Sequence, residues 1–168
     1  MKLESLNELF IDELEDVYSA ENMIIKALPK MIEKAVSPPL KVALNAHLEE
    51  TRGQVVRLDK IFDELENIND EIDRTDKKCK GIKGIIEEGE ELLKHDAEPE
   101  VRDAGIIAAA QRVEHYEIAA YGTLRTYANL LGRPQWARLL QETLDEEKKA
   151  DEKLNNLSTN INLEARAA

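Results

Sequence analysis

One cysteine, Cys79, occurs among 168 residues. An internal disulfide is therefore excluded, as is a zinc or iron–sulfur site built on several thiolates, and nothing points to an oxidising compartment. Aromatic residues are scarce, with two Phe, four Tyr and one Trp, so Leu, Ile, Val and Ala must build the interior. Seven glycines and five prolines leave little material for turns. Basic residues number 23 against 35 acids, for a net charge of −12; that field repels phosphate backbones and attracts cations, so nucleic acid is not an expected partner. No apolar run approaches the roughly 20 residues of a membrane span. Acids interrupt the segment from Met1 to Phe10, so no signal peptide or membrane partner is expected, and the expected compartment is the cytoplasm.

What is present is material for helices: 42% hydrophobic and 35% charged residues. The length fits one domain, residues 1–168, with a full core, and the composition predicts an all-α bundle. Leu3, Leu6, Phe10, Leu14, Val17, Glu21, Ile24, Leu28 and Ile32 keep helical spacing and predict a first helix near 3–35, bent at Pro29. Asp12, Glu13, Glu15 and Asp16 form a charge run expected on solvated faces. Ser37 is available as an N-cap before Pro38-Pro39, opening a second helix near 38–67 whose stripe runs through Leu48, Thr51, Val55 and Leu58. Residues 67–80 read as a surface loop holding Cys79. A shorter helix near 81–95 follows in a crossover, with Glu87, Glu88, Glu90 and Glu91 solvated. Helices near 99–131 and 134–157 flank the stop at Gly132-Arg133-Pro134. The pattern fades after Ile161, so the tail from Ser158 is expected to fray or to dock on a neighbour.

The stretch from Arg112 to Gly122 puts acids where a helix should have hydrocarbon. Ile106, Ala110, Val113, Glu117, Leu124 and Ala128 share one stripe, so Glu117 lies inside it and Glu114 on its edge. Glu21 is central on the first helix and Glu147 on the last, with Asp151 one turn further. Glu50 flanks the second stripe, with His47 and Gln54 along the same edge. A shift of 96 residues superposes Phe10 on Ile106, Glu21 on Glu117, Leu40 on Trp136 and Leu48 on Leu144, as in a bundle with internal two-fold symmetry. A shift of 97 instead matches Glu50 with Glu147 and Gln54 with Asp151, which leaves the register of the polar line open by one residue.

An ionised carboxylate loses several kcal/mol on leaving water unless it is compensated. One buried acid is usually satisfied by a nearby Arg, Lys or Tyr. Four or more at matched depth, on all four helices of a bundle with a long crossover, form the arrangement of a dinuclear metal centre. Carboxylates can neutralise and bridge two cations, and oxygen-rich ligation suits iron or manganese. The candidate ligands are Glu21, Glu50, Glu114, Glu117, Glu147 and Asp151.

Tyr18-Ser-Ala-Glu21, His47-Leu-Glu-Glu-Thr51, Val113-Glu-His-Tyr-Glu-Ile-Ala-Ala-Tyr121 and Leu144-Asp-Glu-Glu147 with Ala150-Asp151 resemble the ferritin-like YciE/YciF stress proteins over nearly the whole chain. Glu114-His-Tyr-Glu117 is also similar to the third-helix segment of rubrerythrins in which both acids bind metal. The resemblance implies a ferritin-like four-helix bundle, two metal ions, with Fe expected and Mn or Mg as substitutes, and a link to bacterial stress responses.

The chain departs from the ferritin-like pattern in lacking Glu-x-x-His on its second and fourth long helices, where Gly53 and Ala150 occupy the histidine positions. Gln54 and Asp151, one residue later, are possible substitutes. A purely oxygen-donor site follows, holding Fe(II) less tightly and admitting Mg²⁺, Mn²⁺ or Ca²⁺. His47 and His115 are candidate nitrogen donors, although a lone histidine is more often structural. Rubrerythrin's cysteine-bound centre is impossible with Cys79 alone. Two functions stay open. One is a di-metal oxidoreductase acting on O₂ or peroxide, with Tyr18, Tyr116 or Tyr121 orienting a ligand. The other is a helical interaction protein with a vestigial cation site. A homodimer is expected from a remaining apolar face, and no feature identifies a storage cage.

Overall fold

The structure is a computed structural model describing residues 3–69, 72, 74–75 and 77–168. Its order is α1 (Leu6–Lys34), α2 (Pro38–Glu66), α3 (Lys80–Leu92), α4 (Pro99–Leu130) and α5 (Pro134–Ala167), and no strand occurs among the described residues. The all-α four-helix bundle with a helix-bearing crossover is the fold the sequence predicts. The boundaries show what local chemistry decides. Ser5 caps α1: its Oγ accepts from Glu8 N–H at 3.2 Å while Ser5 N–H donates to Glu8 Oε2 at 2.8 Å, a reciprocal box that starts the helix three residues later than the apolar pattern alone. Pro29 lies within a continuous α1.

Ser37 occupies the N-cap position of α2 without a side-chain cap bond. The buried Asp103 of α4 does that work across the bundle, accepting from Val36 N–H at 2.8 Å and Ser37 N–H at 2.6 Å. The α1–α2 turn is thereby tied to α4. Gly132, at φ +70, closes α4, with Arg133 N–H reaching the Ala128 carbonyl at 2.9 Å. Two segments differ from expectation. Cys79 is fully buried as the N-cap of α3, its Sγ accepting from Ile82 N–H, rather than held in a surface loop; positions 70, 71, 73 and 76 of that loop lie outside the described residues. The tail remains helical to Ala167 because Ile161 is buried in the apolar core.

The helices neighbour one another in the cyclic order α1, α2, α5, α4, with α3 laid across α4 and α1. Part of the charge run on α1 anchors the crossover instead of facing water: Lys77 pairs with Asp12 at 2.6 Å, Tyr116 donates to Asp16 at 2.6 Å, and Glu15 is buried. Arg74 bonds Asp59, Asp63 and Glu66 and so folds the start of the crossover back onto α2. The core is divided. One apolar cluster includes Ile24, Leu48, Ile106 and Leu154, and the other Val17, Leu58, Leu124 and Leu144. At the heights between them every helix of the bundle carries buried polar side chains: Glu21; Thr51 and Gln54; Glu114 and Glu117; Glu147.

Candidate metal centre

Glu21, Glu114, Glu117 and Glu147 are each buried to 1% exposure or less. Amphipathic packing aims them inward, since each replaces an apolar residue on its helix's core stripe. His47 of α2 joins them, with Nε2 at 3.4 Å from Glu114 Oε1. One ligand atom from each of His47, Glu114, Glu117 and Glu147 lies within 4.8 Å of all the others. Donors bound about 2.0–2.2 Å from one ion lie up to roughly 4.4 Å apart, so these four are close enough that small side-chain adjustments could place them around one cation. Glu21 is next to Glu117 and accepts a hydrogen bond from the fully buried Tyr121 hydroxyl.

The electrostatics follow from enclosure. Burial, then the charge of Glu147, pushes Glu21 up to about 8. Burial raises Glu117 well above the carboxylate range, with Glu21, Glu147 and Glu114 adding to the effect. Glu114 is raised in the same way, by burial and then Glu147. Glu147 rises to about 7, because burial outweighs the hydrogen bonds from Glu114 and Gln54 that favour its charged form. All four acids are thus displaced toward their protonated forms by enclosure and by one another. His47 moves the other way, down to about 4, because burial disfavours the imidazolium. The 3.4 Å contact with Glu114 therefore joins a neutral ring to a carboxyl and is no ion pair.

Such a set fits a metal. Both oxygens of Glu117, Oε2 of Glu21, Glu114 and Glu147, and both ring nitrogens of His47 are buried without a hydrogen-bond partner among the described residues. Acceptors packed together without donors require protons or a cation.

The other expected residues are placed differently. Glu50 is exposed at the mouth of a cavity whose floor is His47 and Glu114. Asp151 is partly buried on the outer edge, accepting from Gln111 Nε2 at 3.3 Å and standing 3.4 Å from His115, which is itself largely exposed. Glu146 is held by Arg57 and lies outside the buried cluster. Burial favours the shift of 96, which pairs the buried Thr51 with Glu147 and the buried His47 with Thr143. Thus α2 brings no carboxylate inward, and the donors gathered here are not oxygen alone: His47, three residues before Glu50 rather than three after, is the nitrogen that could join them. Its place on the polar edge with Gln54 was the available signal. Gln54 is fully buried and donates to Glu147 and, at 3.1 Å, to Glu146. Of the three tyrosines only Tyr121 touches the centre; Tyr116 bonds Asp16 and Cys79, and Tyr18 packs edge-on against Phe62.

Known proteins share this architecture. The family described as "Domain of unknown function (DUF892)" matches residues 5–167. Protein YciF of Escherichia coli K12 is 46% identical over 160 residues, covering 95% of this chain and 94% of its own. The crystal structure of the E. coli stress protein YciF superposes with a TM-score of 0.87 at 43% identity, covering 95% of this chain and 98% of that one. YcfI of Rhodopseudomonas palustris, for which a structural role has been suggested, gives a TM-score of 0.85 at 44% identity over 92% of this chain and 95% of its own. No helix among the described residues is long and apolar enough to cross a membrane.

Proposed function

The chain belongs to the DUF892 family, and on that footing we propose that it is a ferritin-like dinuclear metal protein of the bacterial stress response that reduces peroxide or O₂ in the cytoplasm. The observation that supports this most is the layer of buried acceptors without donors, from Glu21 across Glu117 to Glu114, Glu147 and His47. His47, Glu114, Glu117 and Glu147 would hold one ion, and Glu21, oriented by Tyr121 and next to Glu117, would contribute to the second. A bound pair of Fe(II) ions would supply the two electrons that convert peroxide and two protons into two waters, and an external electron donor, added in any turnover assay, would return the resulting Fe(III) to Fe(II). The chain's own part is to hold the acids at fixed spacing, to keep His47 neutral and able to ligate, and to exclude bulk water with the apolar clusters on either side. One imidazole among carboxylates favours iron, manganese or zinc over magnesium and calcium.

A second reading, a helical interaction protein with a vestigial cation site, draws on the structural role suggested for the R. palustris relative and on the raised pKa values that let the acids fold uncharged. Metal analysis of the purified protein together with a peroxide-consumption assay separates the two. The metal reading expects up to two ions per chain, turnover with iron, and loss of at least one ion in His47→Ala. No retained metal and no turnover would leave the interaction protein standing.

A further inference from the structure

Between α2 and α5 lies a cavity of about 190 Å³. Its walls are the small and apolar Ala43, Leu44, Ala150 and Leu154, and its floor is His47 and Glu114. His47 is more than nine-tenths buried, and neither ring nitrogen has a hydrogen-bond partner among the described residues. The mouth carries Glu50, Lys149 and Lys153. The two lysines stand one helical turn apart on α5, flanking the wall residues Ala150 and Leu154, so both ammonium groups project from one face. At the rim the two lysines outnumber Glu50, with Glu146 and Arg57 also acting on that carboxylate, so the opening is less acidic than a chain of net charge −12 would suggest.

We propose that this cavity binds a small monoanion, of the size and chemistry of formate, azide or hydroperoxide, drawn in by Lys149 and Lys153 and hydrogen-bonded by His47 or set beside it. The proposal rests on the metal-centre reading, because cations on the buried acids would supply the positive charge beneath the floor that holds an anion there. The apolar walls limit the guest to a few heavy atoms, and the lysines select its charge. Glu50 opposes it: its carboxylate lies among the same charges, with Lys153 and Lys149 acting on it. The residues that choose the ligand are thus on the rim, separate from those that hold metal.

The test uses zinc-loaded full-length protein, which is diamagnetic, with zinc content measured first. Formate and azide are titrated in separately, at low ionic strength, while NMR follows the methyl groups of Ala43, Ala150 and Leu154 and the His47 ring. Saturable shifts at these positions are expected. The Lys149→Gln/Lys153→Gln double variant should weaken binding about tenfold, and Glu50→Gln should tighten it about threefold, as expected from removing exposed unit charges roughly 7 Å from an anion at a water-like dielectric of about 80. Zinc retained with no shifts, or with affinity equal in all three proteins, overturns the anion pocket and leaves the metal centre intact. Failure to retain zinc overturns the metal-centre reading and the proposal with it.

Discussion

Glu117 shows at the scale of one residue why the centre is poised. It is fully enclosed, neither of its oxygens meets a donor among the described residues, and three other acids raise its pKa after burial has done so. Replacing it with Gln keeps the volume, removes one potential negative charge and adds an amide that can donate to Glu21. The metal-free protein should gain stability on the order of 1–2 kcal/mol, since a buried unsatisfied acceptor costs about that much, or roughly 2–8 °C in Tm for a chain of this size. In the proposed centre the same change would remove a ligand, so the rise in Tm expected with Mn(II) should shrink. Calorimetry of the two proteins with and without Mn(II) is the check. A Glu117→Gln protein that melts like the parent in both states would mean that Glu117 belongs to no coupled cation site.

Helix α5 carries the clearest difference between pattern and structure at the scale of an element. The sequence predicts a helix to about 157 with a pattern that fades after Ile161, yet the helix runs to Ala167, because Ile161 is 4% exposed and packs into the cluster that holds Leu154 and Ile106. One well-placed residue on the right face is enough to extend a helix that already has tertiary support. Ile161→Ala should therefore cost about 2–4 kcal/mol, the range for a large-to-small change in a core; a loss below about 0.5 kcal/mol in urea unfolding would show instead that the tail is docked only loosely. The five helices themselves were legible because their stripes and their Pro and Gly punctuation are local. So were Glu21, Glu114, Glu117 and Glu147, which interrupt otherwise apolar stripes. Helix α2 was harder. Its buried line passes through His47, Thr51, Gln54 and Leu58, whereas Glu50, about 100° from Thr51 on the helix, turns to the rim. Val55 is only partly buried. Apolar periodicity marks where hydrocarbon is buried, and a stripe that is itself polar has no such mark. The role of Asp103 in tying the α1–α2 turn was invisible for a related reason, since its partners are backbone N–H groups 66 and 67 residues away.

At the scale of the whole molecule the buried acids couple protons to folding, and a bound metal would enter the same linkage. The acids of the centre are raised in the folded state, Glu21 to about 8 and Glu147 to about 7 from an ordinary 4.5, with Glu114 and Glu117 raised as well. The folded protein thus binds more protons than the unfolded chain between about pH 4.5 and 8, and stability present at low pH is lost as pH rises through that window. His47 acts oppositely: lowered to about 4 from 6.5, it makes folding more favourable as pH rises between those values, which offsets one of the acids. Above about pH 6.5 that offset is gone, and each remaining acid contributes a slope of up to about 1.4 kcal/mol per pH unit while it titrates. The metal-free protein should therefore lose stability most steeply from about pH 6.5 to 8, at constant ionic strength. Metal binding needs the same acids deprotonated, so its contribution to folding grows over that interval. The expected outcome of thermal melts from pH 5.5 to 8 is a metal-free Tm that falls with pH and an Mn(II)-loaded Tm that stays level or rises, the two diverging as the acids ionise. Parallel curves would mean that protons and metal do not compete for the same carboxylates, and the buried layer would then be a proton-satisfied structural feature of the bundle.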